Sequence, residues 1–419
     1  MIPSPAARAL LAPALACFLG ACTGWSGTLV HVDTANVDVA AYAERYNLSQ
    51  DRYRVVTRFV DAPAESLARG GSDADVLIGP GLAGRDLAEE LRPLDGLFRS
   101  GRLSGASFFP SLLESGRADG VLRALPLSFR VPVIVVRAGE DDVPLFAATP
   151  DELAALGAAS LSWSAELIYQ AAVLYGADFR RLPDGRIVLQ QGAVDRAVNQ
   201  ARRVIEAAPG DRSSATAGGG PPGALPRVQM LLDGRVDFLL TDLQRFLDTP
   251  VERRDLLSFR WLGSDEGLRA GDDLTYAVIR AGASNARGAQ AFLMWLFAPG
   301  TQSALLEFSR GEHLTGFGIA GGLPALAEVA RYDLVTRYPV LVGRVPRAAE
   351  LHAPAALGAD WERLREAVVL PWLWAETRGF DQPALADAVS AWRARRAPGA
   401  VLAIRGNSAG LVDTDKNGR

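Results

Sequence analysis

Three short runs of β-forming apolar residues, separated by two stretches with helical spacing, occupy residues 27–81 of this 419-residue chain. Gly27-Thr-Leu-Val-His-Val32 reads as a strand, Val39-Ala-Ala-Tyr-Ala-Glu-Arg-Tyr46 as a helix, and Tyr53-Arg-Val-Val-Thr-Arg-Phe-Val60 as a second strand. Ala64 to Arg69 suits a short helix, and Ala74-Asp-Val-Leu-Ile78 is a third strand, stopped by Gly79-Pro80-Gly81. A β-α-β-α-β order calls for a parallel sheet covered by helices. Ligands of such open sheets bind at the loops leaving the carboxyl ends of the strands. Here those loops begin near Asp33 to Asn36 and at Gly79 to Leu82.

The segment ahead of the first strand reads as an export leader. Arg8 is the only charge before the apolar run Ala9 to Leu19, a length that suits a signal-peptide core and falls short of a bilayer span. Leu19-Gly20-Ala21-Cys22 then resembles the lipobox of bacterial lipoproteins. The resemblance implies a signal peptide over 1–21, cleavage before Cys22, and lipidation of that cysteine. Several acyl chains on one residue anchor stably, where a single chain does not. The alternative is a secreted protein with a cysteine there by chance. Cys17 lies in the leader, so an acylated Cys22 leaves the mature chain with no thiol and no disulfide. A body of about 400 residues must then be held by its core, and that length suits two domains.

Composition removes several chemistries. Lys416 is the only lysine, so the folded body has no lysine for a Schiff base or a phosphate loop. His31, His313 and His352 are far apart and never at metal-ligand spacing, which leaves no expected metal site or cofactor. A net charge of −4 without a long basic run argues against nucleic acid. Gly316 to Gly321 satisfies G-x-G-x-x-G, but no strand precedes it. Gly406-Asn-Ser-Ala-Gly410 satisfies G-x-S-x-G with no histidine after it. Asp413 to Gly418 copies the opening of a calcium loop without its distal glutamate, and residues 406–419 read as a polar tail. A chain this poor in catalytic groups favours a binder, not an enzyme.

Further along, Leu125-Pro-Leu-Ser-Phe-Arg-Val-Pro-Val-Ile-Val-Val136 reads as one strongly apolar strand carrying a single charge, Arg130. Helices are expected over 164–175, capped by Ser162 or Ser164, and over 195–207, 285–297, 359–374 and 383–394. Strands are expected at 236–240 and 274–279, and a Gly/Pro/Ser-rich loop at 210–226.

The order of these pieces resembles the extracellular solute-binding proteins of ABC importers, in particular the family 1 group with sugar-binding members. Ala74-Asp-Val-Leu-Ile78 followed by Leu91-Arg-Pro-Leu-Asp95 is similar to that family's third strand and its "L-x-P-L-D" segment. Residues 125–136 resemble its first crossover strand, and Pro150-Asp-Glu-Leu153 its "P-x-T-W-D-E-L" segment without the tryptophan. Ala289 to Phe297 with Pro299-Gly-Thr-Gln302 resembles "A-x-x-F-x-x-F-L…S-P-E-x-Q", and Gly321-Gly-Leu-Pro324 its "G-x-x-P" return loop. The resemblance implies a periplasmic-binding-protein-like α/β fold of type II: two lobes joined by crossover strands, with a ligand cleft between. Lobe 1 would comprise 27–132 plus 279–322, and lobe 2 would comprise 133–278 plus 323–405.

Within that frame Arg130 is the leading ligand-binding candidate. A guanidinium inside an apolar run needs water or a partner, and a wet cleft supplies one. Its fork suits sugar hydroxyls or a carboxylate, and the alternative is an ion pair with Asp242 or Glu166. Trp163 and Trp361 are candidates to pack on a pyranose face, with a core position the alternative for each. Trp295, Trp372 and Trp374 follow apolar helical faces and are assigned to cores. Asp242 and Asp33 end strands, where each accepts hydrogen bonds from a ligand or caps the next helix. Asn36, Tyr276 and Phe317 complete the candidate set.

The resulting expectation is a monomeric lipoprotein of the cell envelope, facing the periplasm or exterior. It would capture a sugar or related polar solute and pass it to an ABC permease, with an acidic solute a rival because of Arg130. Two alternatives stay open: an exported carbohydrate-active enzyme using paired carboxylates, and a sensor or adhesin on the same fold. Cys22→Ser is expected to move the protein from the membrane to the soluble fraction and to abolish fatty-acid labelling. Unchanged labelling would contradict the assignment.

Overall fold

In a computed structural model, residues 28–99, 101, 103–139, 146–156, 163–181, 187–207, 228–311, 316–355 and 357–396 are described. The leader with Cys22, the 210–226 segment and the 406–419 tail lie outside them.

The first three strands form as their sequence demands. Val30, Val32, Val76, Leu77 and Ile78 are fully buried, and Thr28–Thr34 pairs in parallel with Tyr53–Phe59 on one side and Val76–Gly79 on the other. The helix Asp38–Ser49 returns the chain from the first strand to the second, and Pro63–Ala68 from the second to the third. Three strands from far along the chain complete this sheet. Thr275–Ile279 lies antiparallel between Val76–Gly79 and Leu125–Phe129, and Leu323–Pro324 pairs with the outer side of Leu125–Phe129.

A second sheet is ordered Leu239–Thr241, Val133–Arg137, Leu257–Ser264, Gly267–Arg269, Leu351–His352. Ala147–Ala148 joins Leu257–Ser264 in parallel. One face of this sheet, with Ile134, Val136 and Leu262, packs on Leu167, Ala171, Val198 and Leu364 in a separate apolar core. Its other face, with Val133, Val135, Phe259 and Trp261, belongs to the larger core that also fills the first sheet. The chain is therefore two α/β bodies on two sheets, with apolar packing continuous past the crossings.

The structure differs from the sequence reading at three boundaries. Residues 125–136 are not one strand: pairing stops at Arg130-Val131-Pro132 as the chain passes from the first sheet to the second. Proline has no N–H to continue a ladder, and here its carbonyl instead accepts from the Leu262 N–H at 2.9 Å. The return crossing lies at 270–274, ahead of the expected 278, because all of Thr275–Ile279 pairs within the first sheet. Leu323–Pro324 also belongs to the first sheet, so the last passage to the second sheet falls between it and Leu351–His352.

Polar side chains fix the first body. Asp33 is buried and receives both Nε and Nη2 of Arg58 at 2.8 Å and the Ser72 hydroxyl at 2.7 Å. Asp75 is fully buried and accepts from the His31 N–H at 3.0 Å, the Ser284 hydroxyl at 2.9 Å and the Asn285 N–H at 2.8 Å. It thereby ties two strands to the start of the helix Ala286–Leu296, whose Phe292 and Leu296 enter the core. Removing a buried carboxylate that holds three donors leaves them unsatisfied. Asp75→Ala should lower the stability of the leaderless protein by about 3 kcal/mol in urea unfolding, with Asp75→Asn falling between the two; wild-type stability in the alanine variant would contradict this role.

Candidate functional site

The crossings meet at the floor of a cleft of about 590 Å3 whose walls come from both bodies. Asn36 and Pro80 line it from loops of the first body, and Ser164, Thr241, Asp242 and Arg365 from the second. The first-body loops are those leaving the carboxyl ends of the parallel strands, where sheets of this kind bind ligands.

Arg130 stands on the floor. Its Nη1 donates to Asp273 Oδ2 at 2.6 Å and its Nε to the Gly321 carbonyl at 2.9 Å, while nearly half of the side chain stays exposed to the cleft. The two crossings are also joined by backbone, the Gly271 N–H donating to the Arg130 carbonyl at 2.8 Å. Gly321 is held by a tight turn in which Ile319 and Gly322 exchange backbone hydrogen bonds at 2.9 and 3.0 Å. Gly318 has φ +62° there, and a Cβ on it would sit 2.1 Å from the Gly322 carbonyl, so the turn requires glycine. The partner of Arg130 is thus Asp273, not the expected Asp242 or Glu166. Glu166 is engaged by Arg365 at 2.6 Å, and Asp242 caps the helix Leu243–Leu247 by accepting from the Arg245 N–H at 2.9 Å. Asp242 still borders the cleft.

Behind this floor lies a second polar knot. Asp272 Oδ2 accepts from the Trp361 indole N–H at 2.9 Å and from the Tyr169 hydroxyl. Burial pushes the Asp272 carboxyl up, opposed by those two hydrogen bonds. Burial, then the Asp272 charge, holds the Tyr169 phenol far above its ordinary range, so it stays protonated and donating. Burial disfavours the Arg365 charge, but Glu166 and Asp272 outweigh it and raise its pKa. Beside Trp361 a small pocket of about 70 Å3, lined by Ala62, Ala83, Leu274 and Leu357, opens off the cleft.

The remaining candidates divide. Asn36 lines the cleft, its Oδ1 accepting from the Asp38 N–H at 2.8 Å. Asp33 is neither ligand-facing nor a helix cap, because Arg58 and Ser72 consume its oxygens. Trp163 is a core residue, 1% exposed. It precedes the cap Ser164, whose hydroxyl accepts from the Leu167 N–H, and an apolar residue there folds back onto the helix it introduces. Trp361 is likewise not a stacking platform: it is 3% exposed, and its ring packs on Phe179 and Tyr169. Tyr276 is buried, shares a hydrogen bond with Ser115 at 2.7 Å and borders only the small pocket. Phe317 packs on Tyr338 and lines a separate groove with Arg254 and Arg337, so it leaves the set. Trp295 packs against the first core, and Trp372 and Trp374 against the second.

Sequence reasoning missed Asp272, Asp273, Arg365, Glu362 and Glu366, all of which border the cleft. The adjacent acids Asp272 and Asp273, just ahead of an apolar strand, were the available signal. Among the described residues no group of three or more His, Cys, Asp or Glu is arranged to hold a metal ion. No helix among them is long and apolar enough to cross a membrane.

Partial desolvation, then the Glu366 and Asp273 charges, raises the Glu362 pKa. The folded state thus binds this proton more tightly than the unfolded chain. The penalty is absent below the unfolded pKa and complete above the folded one, so stability falls as pH rises through that window. Glu362→Gln should therefore melt higher than wild type at neutral pH and lose the advantage in acid. An equal difference at both pH values would contradict this.

No protein-family model matches the sequence, and no curated protein matches it. Solved structures do. The sugar-binding protein MalE from Xanthomonas citri superposes with a TM-score of 0.61 at 16% identity, covering 92% of this chain and 100% of its own. The cyclic alpha-maltosyl-1,6-maltose binding protein from Arthrobacter globiformis gives 0.59 at 18% identity, with coverage of 87% and 97%. The GacH receptor of Streptomyces glaucescens, solved without ligand and with acarbose, gives 0.58 at 17% identity, with coverage of 88% and 98%. The chain has the two-lobed α/β fold of the sugar-binding ABC solute-binding proteins.

Proposed function

We propose that this chain is the solute-capturing component of an ABC importer, tethered at the cell envelope through Cys22 and without catalysis of its own. A small hydroxylated solute would enter the cleft, touch both bodies, and favour the form in which they are drawn together. That form would be what a membrane permease reads. A ligand shifts such an equilibrium only by its differential affinity for the two forms, so it must contact more groups when the bodies approach.

The observation that carries this reading is the cleft itself, floored by both crossings and walled by polar side chains from both bodies. The solved relatives in fold are named as binders of sugars or of acarbose, in keeping with a carbohydrate-like solute. Arg130 would meet solute hydroxyls with the part of its fork left open to the cleft. Asn36, Thr241 and Asp242 would supply further partners from the two walls.

Thermal-shift screening of the leaderless protein against sugars, polyols, sugar acids and amino acids tests the reading. One class should raise the melting temperature, since saturation at a hundred times Kd adds about 2.7 kcal/mol. The shift should shrink strongly in Arg130→Ala, judged against that variant's own unliganded melting temperature. The stabilising compound should be recovered unchanged after prolonged incubation. Absence of any shift across the classes, an undiminished shift in Arg130→Ala, or turnover of the compound would each contradict it.

A further inference from the structure

We infer that the cleft selects a compact hydroxylated solute bearing an ammonium group, an amine-substituted sugar or cyclitol, over its neutral and anionic counterparts. The inference rests on the solute-capturing reading above and specifies its substrate class. Three observations carry it.

The described residues that line the cleft include no aromatic ring. Trp163 is sealed in the second core, and Trp361 is turned to Asp272 and packed on Phe179. Stacking of an apolar sugar face on a ring is therefore not how this site recognises its solute. Polar and ionic contacts are left to do so.

The cleft's guanidinium groups are already engaged. Arg130 pairs with Asp273 at 2.6 Å, Arg365 with Glu166 at 2.6 Å, and Arg245 with Asp242 at 3.4 Å. An anionic solute would have to break one of these pairs to gain a cation. That disfavours the acidic solute which an isolated Arg130 suggested.

The carboxylates outnumber them. Glu166, Asp242, Asp272, Asp273, Glu362 and Glu366 line the cleft against those three arginines. Glu362 and Glu366 lie four residues apart along one helical stretch, where like charges are mutual neighbours and destabilise the helix. Among the described residues neither has a salt bridge, and both line the cleft, with Glu362 also lining the small apolar pocket. Partial desolvation first, and the Glu366 charge second, raise the proton affinity of Glu362, with Arg365 and Arg363 opposing. Folding gains nothing from this pair, whereas a bound ammonium would relieve it and gain charge-assisted hydrogen bonds.

The test is titration calorimetry of the leaderless protein, at mildly acidic pH, with four β-1,4-linked disaccharide derivatives. These are cellobiose, diacetylchitobiose, its fully deacetylated diamine, and cellobionate. The diamine should bind at least about tenfold more tightly than the other three, a difference of about 1.4 kcal/mol. In a Glu362→Gln, Glu366→Gln double variant that melts no lower than wild type, the preference should fall below about threefold. Equal or tighter binding of a neutral disaccharide, or of cellobionate, overturns the inference while solute capture stands. A preference that survives in the double variant overturns it too. Binding by none of the four, together with no hit in the wider thermal screen, removes both readings.

Discussion

The ion pair between Arg130 and Asp273 joins two of the three places where the chain crosses from one sheet to the other. Both crossings must leave their ladders there, and both would otherwise expose backbone and charge to an apolar neighbourhood. The guanidinium resolves this by binding Asp273 and the Gly321 carbonyl, which brings a third segment, the turn at 318–322, to the same point. An unpaired charge among Val131, Val133 and Phe129 would be costly, and a fully buried pair would gain little over an apolar contact. Keeping the pair half-exposed at the floor of a wet cleft avoids both penalties. The same chemistry has a different outcome at Asp33, where Arg58 and Ser72 close over a buried carboxylate and leave nothing for a solute. Position in the fold, not residue type, separates a cleft floor from a buried structural clamp.

Contacts also run between the bodies at one rim. Glu65, buried on the helix Pro63–Ala68 of the first body, is approached by Arg363 at 2.9 Å and Arg396 at 3.5 Å from the second, as well as by its neighbour Arg69. Asp86 accepts from the Ala359 N–H at 3.2 Å across the same gap. These are the polar contacts that any widening of the cleft at that side would give up. They set part of the energy difference between a wide and a narrow cleft, to which a bound solute would add.

Local pattern in the sequence carried the first three strands, the two helices between them, and Ser164 as one of two cap candidates, because those depend on spacing within a few residues. The α/β sheet was legible from the same run, whereas the two-lobed class came from the resemblance carried by segments along the whole chain. What failed were inferences that depend on distant partners. Leu125 to Val136 looked like one strand because apolar content continues through it; only the switch of pairing partners reveals the break at Arg130–Pro132. Trp163 looked like a platform because an aromatic before a helix resembles one, but the position ahead of a cap equally directs a ring into the core. Asp33 looked like a cap because it ends a strand, and Arg58 claimed it from the neighbouring strand. Arg365 and Glu166 are 199 residues apart, and nothing local to either announces the pair.

The central claim is that a solute bridges two bodies hinged at the Arg130–Asp273 floor. Both cysteines of the sequence, Cys17 and Cys22, precede the first strand, so a protein begun after Cys22 accepts new cysteines without background labelling. Spin labels placed at the exposed positions Val37 and Ala367, each next to a residue that borders the cleft, report its width by pulsed electron resonance. With a stabilising solute bound, the account predicts one narrowed distance distribution, shorter than without it. A distribution that stays unchanged while the solute is bound would contradict it.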